Sequence, residues 1–150
     1  MGQSLSKILV HLVFSTKNRA PLIVPEIESN LHGYMTGILK ECDSSVLQIG
    51  GMPDHIHVLF NLSKTRALSD IIQELKGSSS KWIKTLPSCP DDFFWQAGYG
   101  AFSIGQSAVN EVCAYIQNQK EHHATRSFQD ELRLLLKKYD VEFDERYIWD

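Results

Sequence analysis

With 150 residues, 43% of them hydrophobic and 22% charged, the chain has the composition of an ordinary globular domain. It is large enough to bury roughly two-thirds of the surface its unfolded form exposes. That balance excludes a disordered or collagen-like chain, and no apolar run approaches the ~20 residues a bilayer span needs. The net charge of −3 is unevenly spread: residues 140–150 carry five acids and one base, leaving 14 bases and 13 acids in residues 1–139. Between Lys64 and Lys84, five bases (Lys64, Arg66, Lys76, Lys81, Lys84) face only Asp70 and Glu74. Such a stripe is compatible with phosphate binding and equally with a solvated helix face. Cys42, Cys89 and Cys113 are odd in number and form no Cys-x-x-Cys pair, so reduced thiols are expected. With no signal-peptide pattern either, a cytoplasmic protein is expected.

In chain order, Lys7–Thr16 sets Ile8, Val10, Leu12 and Phe14 against Leu9, His11 and Val13; both faces are largely apolar, which predicts a central strand. Pro25–Cys42 has helical spacing through Ile27, Leu31, Met35, Ile38 and Leu39. Strands are expected at about Ser45–Ile49 and His55–Leu62, joined by a turn through Gly50-Gly51-Met52-Pro53-Asp54. A second helix is expected over Leu68–Leu86, and an irregular fourth strand over Phe93–Ile104. A third helix should run from an N-cap at Ser107 to about His123, and a fourth should begin at Ser127, with Asp130 three residues on. No repeat or interdomain linker is visible, so residues 1–150 read as one domain with an acidic tail. The order strand-helix-strand-strand-helix-strand predicts an α+β, ferredoxin-like (RRM-like) antiparallel sheet with helices on one face. Two C-terminal helices are added to that unit, and they must cover the free face or reach a partner.

Residues two apart on a strand share a side, so His55 and His57 project together, opposite Ile56, Val58 and Phe60. Two such imidazoles can hold a divalent cation, although a bare His-x-His also occurs as decoration of a sheet face. On the third helix Tyr115, Gln119 and His122 fall on one flank at spacings of four and three. That sets a phenol one turn from a carboxamide able to offer an oxygen ligand. Tyr115 reads as a nucleophile if its proton can be removed, or as a rim residue with its ring on the core.

The segments Met52-Pro53-Asp54-His55-Ile56-His57-Val58, Leu75-Lys76-Gly77-Ser78-Ser79-Ser80-Lys81-Trp82, Phe94-Trp95-Gln96-Ala97-Gly98-Tyr99 and Tyr115-Ile116-Gln117-Asn118-Gln119 occur in this order. The series resembles the single-tyrosine HUH transposases of the smallest bacterial and archaeal insertion sequences, which move as single-stranded DNA. The resemblance runs from the first strand to the third helix. It implies cleavage of hairpin-bearing single-stranded DNA through a covalent 5′-phosphotyrosine, with release of a 3′-hydroxyl. It also implies Tyr115 as nucleophile, a metal site of His55, His57 and Gln119 holding Mg²⁺ or Mn²⁺, and a homodimer with composite sites built in trans.

Ligand chemistry alone leans to Mn²⁺, because imidazole is softer than the oxygens magnesium prefers. His122 is a rival third ligand, and the sequence identifies no general base. For DNA binding the candidates are Lys76, Lys81 and Lys84, with Ser78, on the second helix, and Lys17 and Arg19 after the first strand. Trp95, Tyr99 and Phe102 are candidates for stacking on unpaired bases. Two other readings compete: a non-catalytic single-strand-binding or regulatory module, and a metal hydrolase using His55, His57 and His122. For the latter the only neighbouring acid is Asp54, which on an ideal strand would face away.

Overall fold

Every residue of β1 (Leu9–Ser15) is buried, as expected of a central strand whose alternation leaves neither face polar. The structure is a computed structural model describing residues 2–89 and 92–150. Helix α1 (Pro25–Glu41), β2 (Val46–Met52), β3 (His55–Asn61), α2 (Leu68–Ile83) and β4 (Gly100–Ile104) follow β1. The four strands lie in the order β2-β3-β1-β4, each neighbouring pair antiparallel, which is the ferredoxin-like arrangement. Val10, Leu12, Phe14, Ile56, Val58 and Phe60 form one apolar face, packed under the Ile27-Leu31-Met35 stripe of α1 and the Ile71-Ile72-Leu75 stripe of α2.

The opposite face is covered by α3 (Val109–Gln117), α4 (Gln119–His122) and α5 (Phe128–Lys138). Its apolar surface is split. One patch joins Leu9, Leu59 and Ile104 to Val112 and Ile116 of α3. The other joins Val13 and Phe102 to Phe128, Leu132, Leu135 and Leu136 of α5. The same face carries His11, His55 and His57, all buried together with Gln119 and Glu131. Buried polar groups are tolerated when they satisfy one another.

Several local expectations are corrected. Gly50 and Gly51 belong to β2 rather than to the turn, which is confined to Pro53 and Asp54. Glycine is required because α3 lies directly on this backbone: a Cβ on Gly50 would come within 2.6 Å of the Ile116 carbonyl oxygen. The fourth strand is only Gly100–Ile104, with Trp95 making an isolated bridge to Thr16. The carbonyls of Gln96, Ala97 and Gly98 turn instead to the Lys76 ammonium, at 2.9, 3.3 and 2.7 Å. Ser107 does not cap α3; it sits in a 3-10 turn over Gln106–Ala108. The long third helix is broken at Asn118 (φ −98°, ψ 24°) into α3 and α4. Ser127 caps α5 as expected, its hydroxyl accepting from the Asp130 amide at 3.1 Å.

The acidic segment also has a place. Ile148 and Trp149 pack against the α5 patch, and the Trp149 ring lies between the Arg19 and Arg133 guanidinium groups at 5.8 and 5.0 Å. Arg133 binds the Glu145 carboxylate through Nε at 2.6 Å, and the Gly98 amide donates to the Asp150 carbonyl at 2.8 Å. The segment therefore straps α5 to the loop before β4.

Candidate active site

Strand β3 delivers His55 and His57 to one side of the sheet, as the alternation predicts, and both are fully buried. Helix α5 meets them with Glu131, three residues after Phe128 and four before Leu135 in the stripe it turns to the sheet. Glu131 Oε1 lies 2.8 Å from His57 Nε2, 3.0 Å from His123 Nε2 and 3.4 Å from His55 Nε2. A carboxylate only accepts, so the imidazoles donate. The other oxygen, Oε2, accepts from Gln119 Nε2 at 2.9 Å and from the Tyr115 hydroxyl. The phenol and the histidine pair therefore meet on one carboxylate.

The remaining bonds fix each imidazole. His55 Nδ1 lies 2.6 Å from Asp54 Oδ1 and its Nε2 2.9 Å from Gln119 Oε1. With acceptors on both nitrogens it is held as an imidazolium. Burial opposes that charge, but the bonds to Asp54 and Glu131 outweigh it and raise the pKa to about 9. His57 is driven down, first by burial and then by the neighbouring imidazoles, despite its bond to Glu131. His11, on β1, places Nε2 2.8 Å from His57 Nδ1, and burial lowers its pKa to about 3. Burial alone would raise Glu131, yet the bonds from His123, His55 and His57 hold it well below the usual carboxylate range. Tyr115 is pushed well above the ordinary phenol value by burial and by the charged acceptor it faces. In this arrangement its proton stays on the phenol.

His55, His57, His123 and Glu131 each offer a ligand atom, all within 4.8 Å of one another. Three imidazole nitrogens, once free of their protons, and one carboxylate oxygen make a donor set that fits a divalent cation, with Gln119 Oε1 adjacent as a further oxygen. Tyr115 is half-buried and borders a cavity of about 580 Å³ whose lining includes His11, Glu131, Leu134, Lys138 and Tyr139.

The predicted residues thus sort into those gathered at the site and those outside it. His55, His57, Gln119 and Tyr115 converge within this one chain. His122 is not among the clustered donors; it stacks on the Tyr115 ring at 4.6 Å, and its neighbour His123 takes the place by the carboxylate. Asp54 faces the pair after all, because it lies in the turn before β3 and escapes strand alternation. Lys76 is engaged with three carbonyls and the Phe14 ring, contacts that hold the loop before β4. Arg19 is half-buried, its guanidinium 5.8 Å from the Trp149 ring centroid. Lys17, Lys81 and Lys84 are exposed, and Ser78 is half-buried. Trp95 and Phe102 are core residues, and Tyr99 is exposed.

Glu131, His123 and His11 were missed. Glu131 left a signal, an acid inside the apolar stripe of its own helix, as did His11, a histidine between Leu9 and Val13 in a central strand.

A family model for transposases, IS200-like, matches residues 4–119. The ISDra2 transposase TnpA of Deinococcus radiodurans is 23% identical over 116 residues, spanning 74% of this chain and 83% of that protein. A crystal structure of a transposase from Deinococcus radiodurans superposes with a TM-score of 0.59 at 23% identity, covering 79% of this chain and 96% of that one. A REP-associated tyrosine transposase bound to a REP hairpin superposes at 0.60 with 14% identity, covering 82% and 74%.

Proposed function

The chain belongs to the IS200-like transposase family, and from that premise we propose that it nicks and rejoins single-stranded DNA through a covalent bond between Tyr115 and a 5′-phosphate. One observation carries the reading: the Tyr115 hydroxyl and the Nε2 atoms of His55 and His57 converge on the two oxygens of Glu131. A phosphate seated between phenol and imidazoles is within reach of both.

The residues that would hold the cation are His55 and His57, with His123, Glu131 or Gln119 completing the set. A divalent ion there, Mg²⁺ or Mn²⁺, supplies Lewis acidity to a non-bridging phosphate oxygen and favours the phenolate. Tyr115 Oη attacks phosphorus, the bond from phosphorus to the 3′ oxygen breaks with its electron pair on that oxygen, and the oxygen takes a proton from water and leaves as a 3′-hydroxyl. Glu131 Oε2, the phenol's hydrogen-bond partner here, is the acceptor placed for its proton, and it gains basicity only when the imidazole bonds that now hold it deprotonated are given up. The phosphotyrosine conserves the energy of the bond, so a 3′-hydroxyl can reverse the step without a nucleotide cofactor. The strand reaches Tyr115 from the cavity beside it, with Lys17, Lys81 and Lys84 contacting phosphates. The resemblance implies a homodimer with sites built in trans; the contacts above equally let one chain supply a whole site, and a homodimer would bring two DNA ends together.

Labelled, hairpin-bearing single-stranded DNA incubated with the protein and Mn²⁺ tests this. The expected result is a denaturation-resistant adduct that is lost in Tyr115→Phe while DNA binding survives. DNA binding without adduct would indicate the non-catalytic binding module. Cleavage that tolerates Tyr115→Phe would indicate the hydrolase.

A further inference from the structure

Phe93, Phe94 and Trp95 run through an extended segment in which the outer two side chains enter the core, at 0% and 9% exposure, while Phe94 stands 50% exposed. A polar residue would serve equally well at an outward position if only the fold mattered. Two lysines from different parts of the chain reach over the ring. Lys84 Nζ, at the end of α2, lies 4.4 Å from the ring centroid, and Lys17 Nζ, just past β1, lies 5.8 Å from it. The Lys17 amide donates to the Phe94 carbonyl at 2.7 Å, which fixes the two segments to each other. The group also lies at the end of the sheet that carries the site: Ser15, two residues before Lys17, pairs in register with His55.

We propose that Phe94 is a stacking platform for one unpaired base of the DNA strand, with Lys17 and Lys84 holding the phosphates on either side of that base. An aromatic face flanked by two ammonium groups matches the chemistry of a single-stranded nucleic acid, which offers a flat ring between two anions. A stacked duplex has no free base face to offer. The inference rests on the single-stranded DNA reading above, but it concerns binding only and is independent of the chemistry at Tyr115.

Fluorescence anisotropy with a short labelled oligo-dT, without metal, tests it on the full chain. Phe94→Ala and Phe94→Leu are both expected to weaken binding by about 5- to 100-fold, the range for loss of one base-aromatic stack, while Phe94→Trp binds at least as tightly as the native protein. Lys84→Ala should lower the slope of log affinity against log salt by about one phosphate contact. Melting temperature checks the fold of each variant, and the half-exposed ring makes Phe94→Leu well tolerated. Native-like affinity in Phe94→Ala, or in Phe94→Leu, overturns the platform while leaving the DNA reading intact. If the native protein binds no oligo-dT, both fail. A change in solution mass on Phe94→Ala would instead make the ring a contact between copies, and would also overturn the proposal.

Discussion

His11 Nε2 lies 2.8 Å from His57 Nδ1, with both rings buried. As the structure stands, His57 Nε2–H donates to Glu131, so His57 Nδ1 accepts from His11. If His57 gives its Nε2 lone pair to a cation, its proton must move to Nδ1, and the same bond reverses with His11 as acceptor. An imidazole can play either part, and so can a carboxamide.

His11→Gln is therefore expected to keep Mn²⁺ affinity within a few-fold, whereas His11→Met, which fills the space without a partner, should weaken it by about 10- to 100-fold. Mn²⁺ titration of the DNA-free protein by electron paramagnetic resonance measures this directly. Equal affinity in His11→Met would remove His11 from the metal's support.

Glu131 neutralises a cluster of imidazoles inside the protein. Glu131→Leu leaves those groups facing a hydrocarbon, and breaking a buried ionic contact in this way costs about 3–5 kcal/mol. Urea denaturation should show that loss. Glu131→Gln retains a hydrogen-bonding side chain and should lose less stability, yet be as defective as Glu131→Leu in forming the covalent adduct. An active Glu131→Gln would show that the phenol proton leaves by another route.

The metal-free protein should be most stable near pH 6.5. His55 has a folded pKa raised from 6.5 to about 9, so its contribution is full below pH 6.5 and lost as pH climbs through 9. Its size is on the order of 3 kcal/mol. On the acid side His11 and His57 have folded values below 6.5. The unfolded chain then takes up protons first, and stability falls as pH drops. Melting temperature followed from pH 5 to about 9.5 should give a dome, and in His55→Gln the alkaline limb should flatten. A limb unchanged in that variant would assign the loss to another group.

Much of this site was legible before any coordinates. Strand alternation sets His55 and His57 on one side and helical spacing sets Tyr115 and Gln119 on one flank, while their roles as ligands and nucleophile come from the family resemblance. Glu131 was within reach, because an acid between Phe128 and Leu135 interrupts a stripe that otherwise enters the core. What spacing could not supply was the docking of α5. An amphipathic helix states that it has an apolar side, not which surface receives it. The break at Asn118 was equally hidden, and it decides that His123 rather than His122 approaches Glu131. The ties of Lys76 were hidden for a related reason: a lysine on a basic stripe looks free until the loop carbonyls that claim it are in place.

Lys76 gives a corresponding prediction. Burial lowers its pKa to about 8, but three carbonyl acceptors hold its proton, so it stays cationic at neutral pH. Lys76→Met removes that tie from the loop that also receives Asp150. It should lower the melting temperature by several degrees, as a loss of about 1–3 kcal/mol does in a chain of this size. The salt dependence of DNA binding should not change, in contrast to Lys84→Ala. A reduced salt slope in Lys76→Met would return this lysine to the DNA contacts.

Gly50 offers a test of how the nucleophile is positioned. Helix α3 approaches β2 so closely that a methyl at residue 50 would meet the Ile116 carbonyl oxygen at 2.6 Å and the Ile116 side chain at 3.1 Å. Backbone cannot turn aside as a flexible side chain can, so Gly50→Ala must lift α3 from the sheet or distort β2. Ile116 adjoins Tyr115, and a shift of about 1 Å at a reacting group can reduce a rate on the order of 100-fold. Gly50→Ala is expected to lose most adduct formation while Mn²⁺ binding weakens less, because β3, which carries His55 and His57, is also held by β1 on its other side, although His57 is the cross-strand partner of Gly50. Gly37→Ala, on α1 with no atom near its Cβ, is the matched control and should be neutral or slightly stabilising. Equal loss of metal affinity and adduct in Gly50→Ala would mean that the sheet had yielded instead of the helix, and that α3 does not set the tyrosine independently of its ligands.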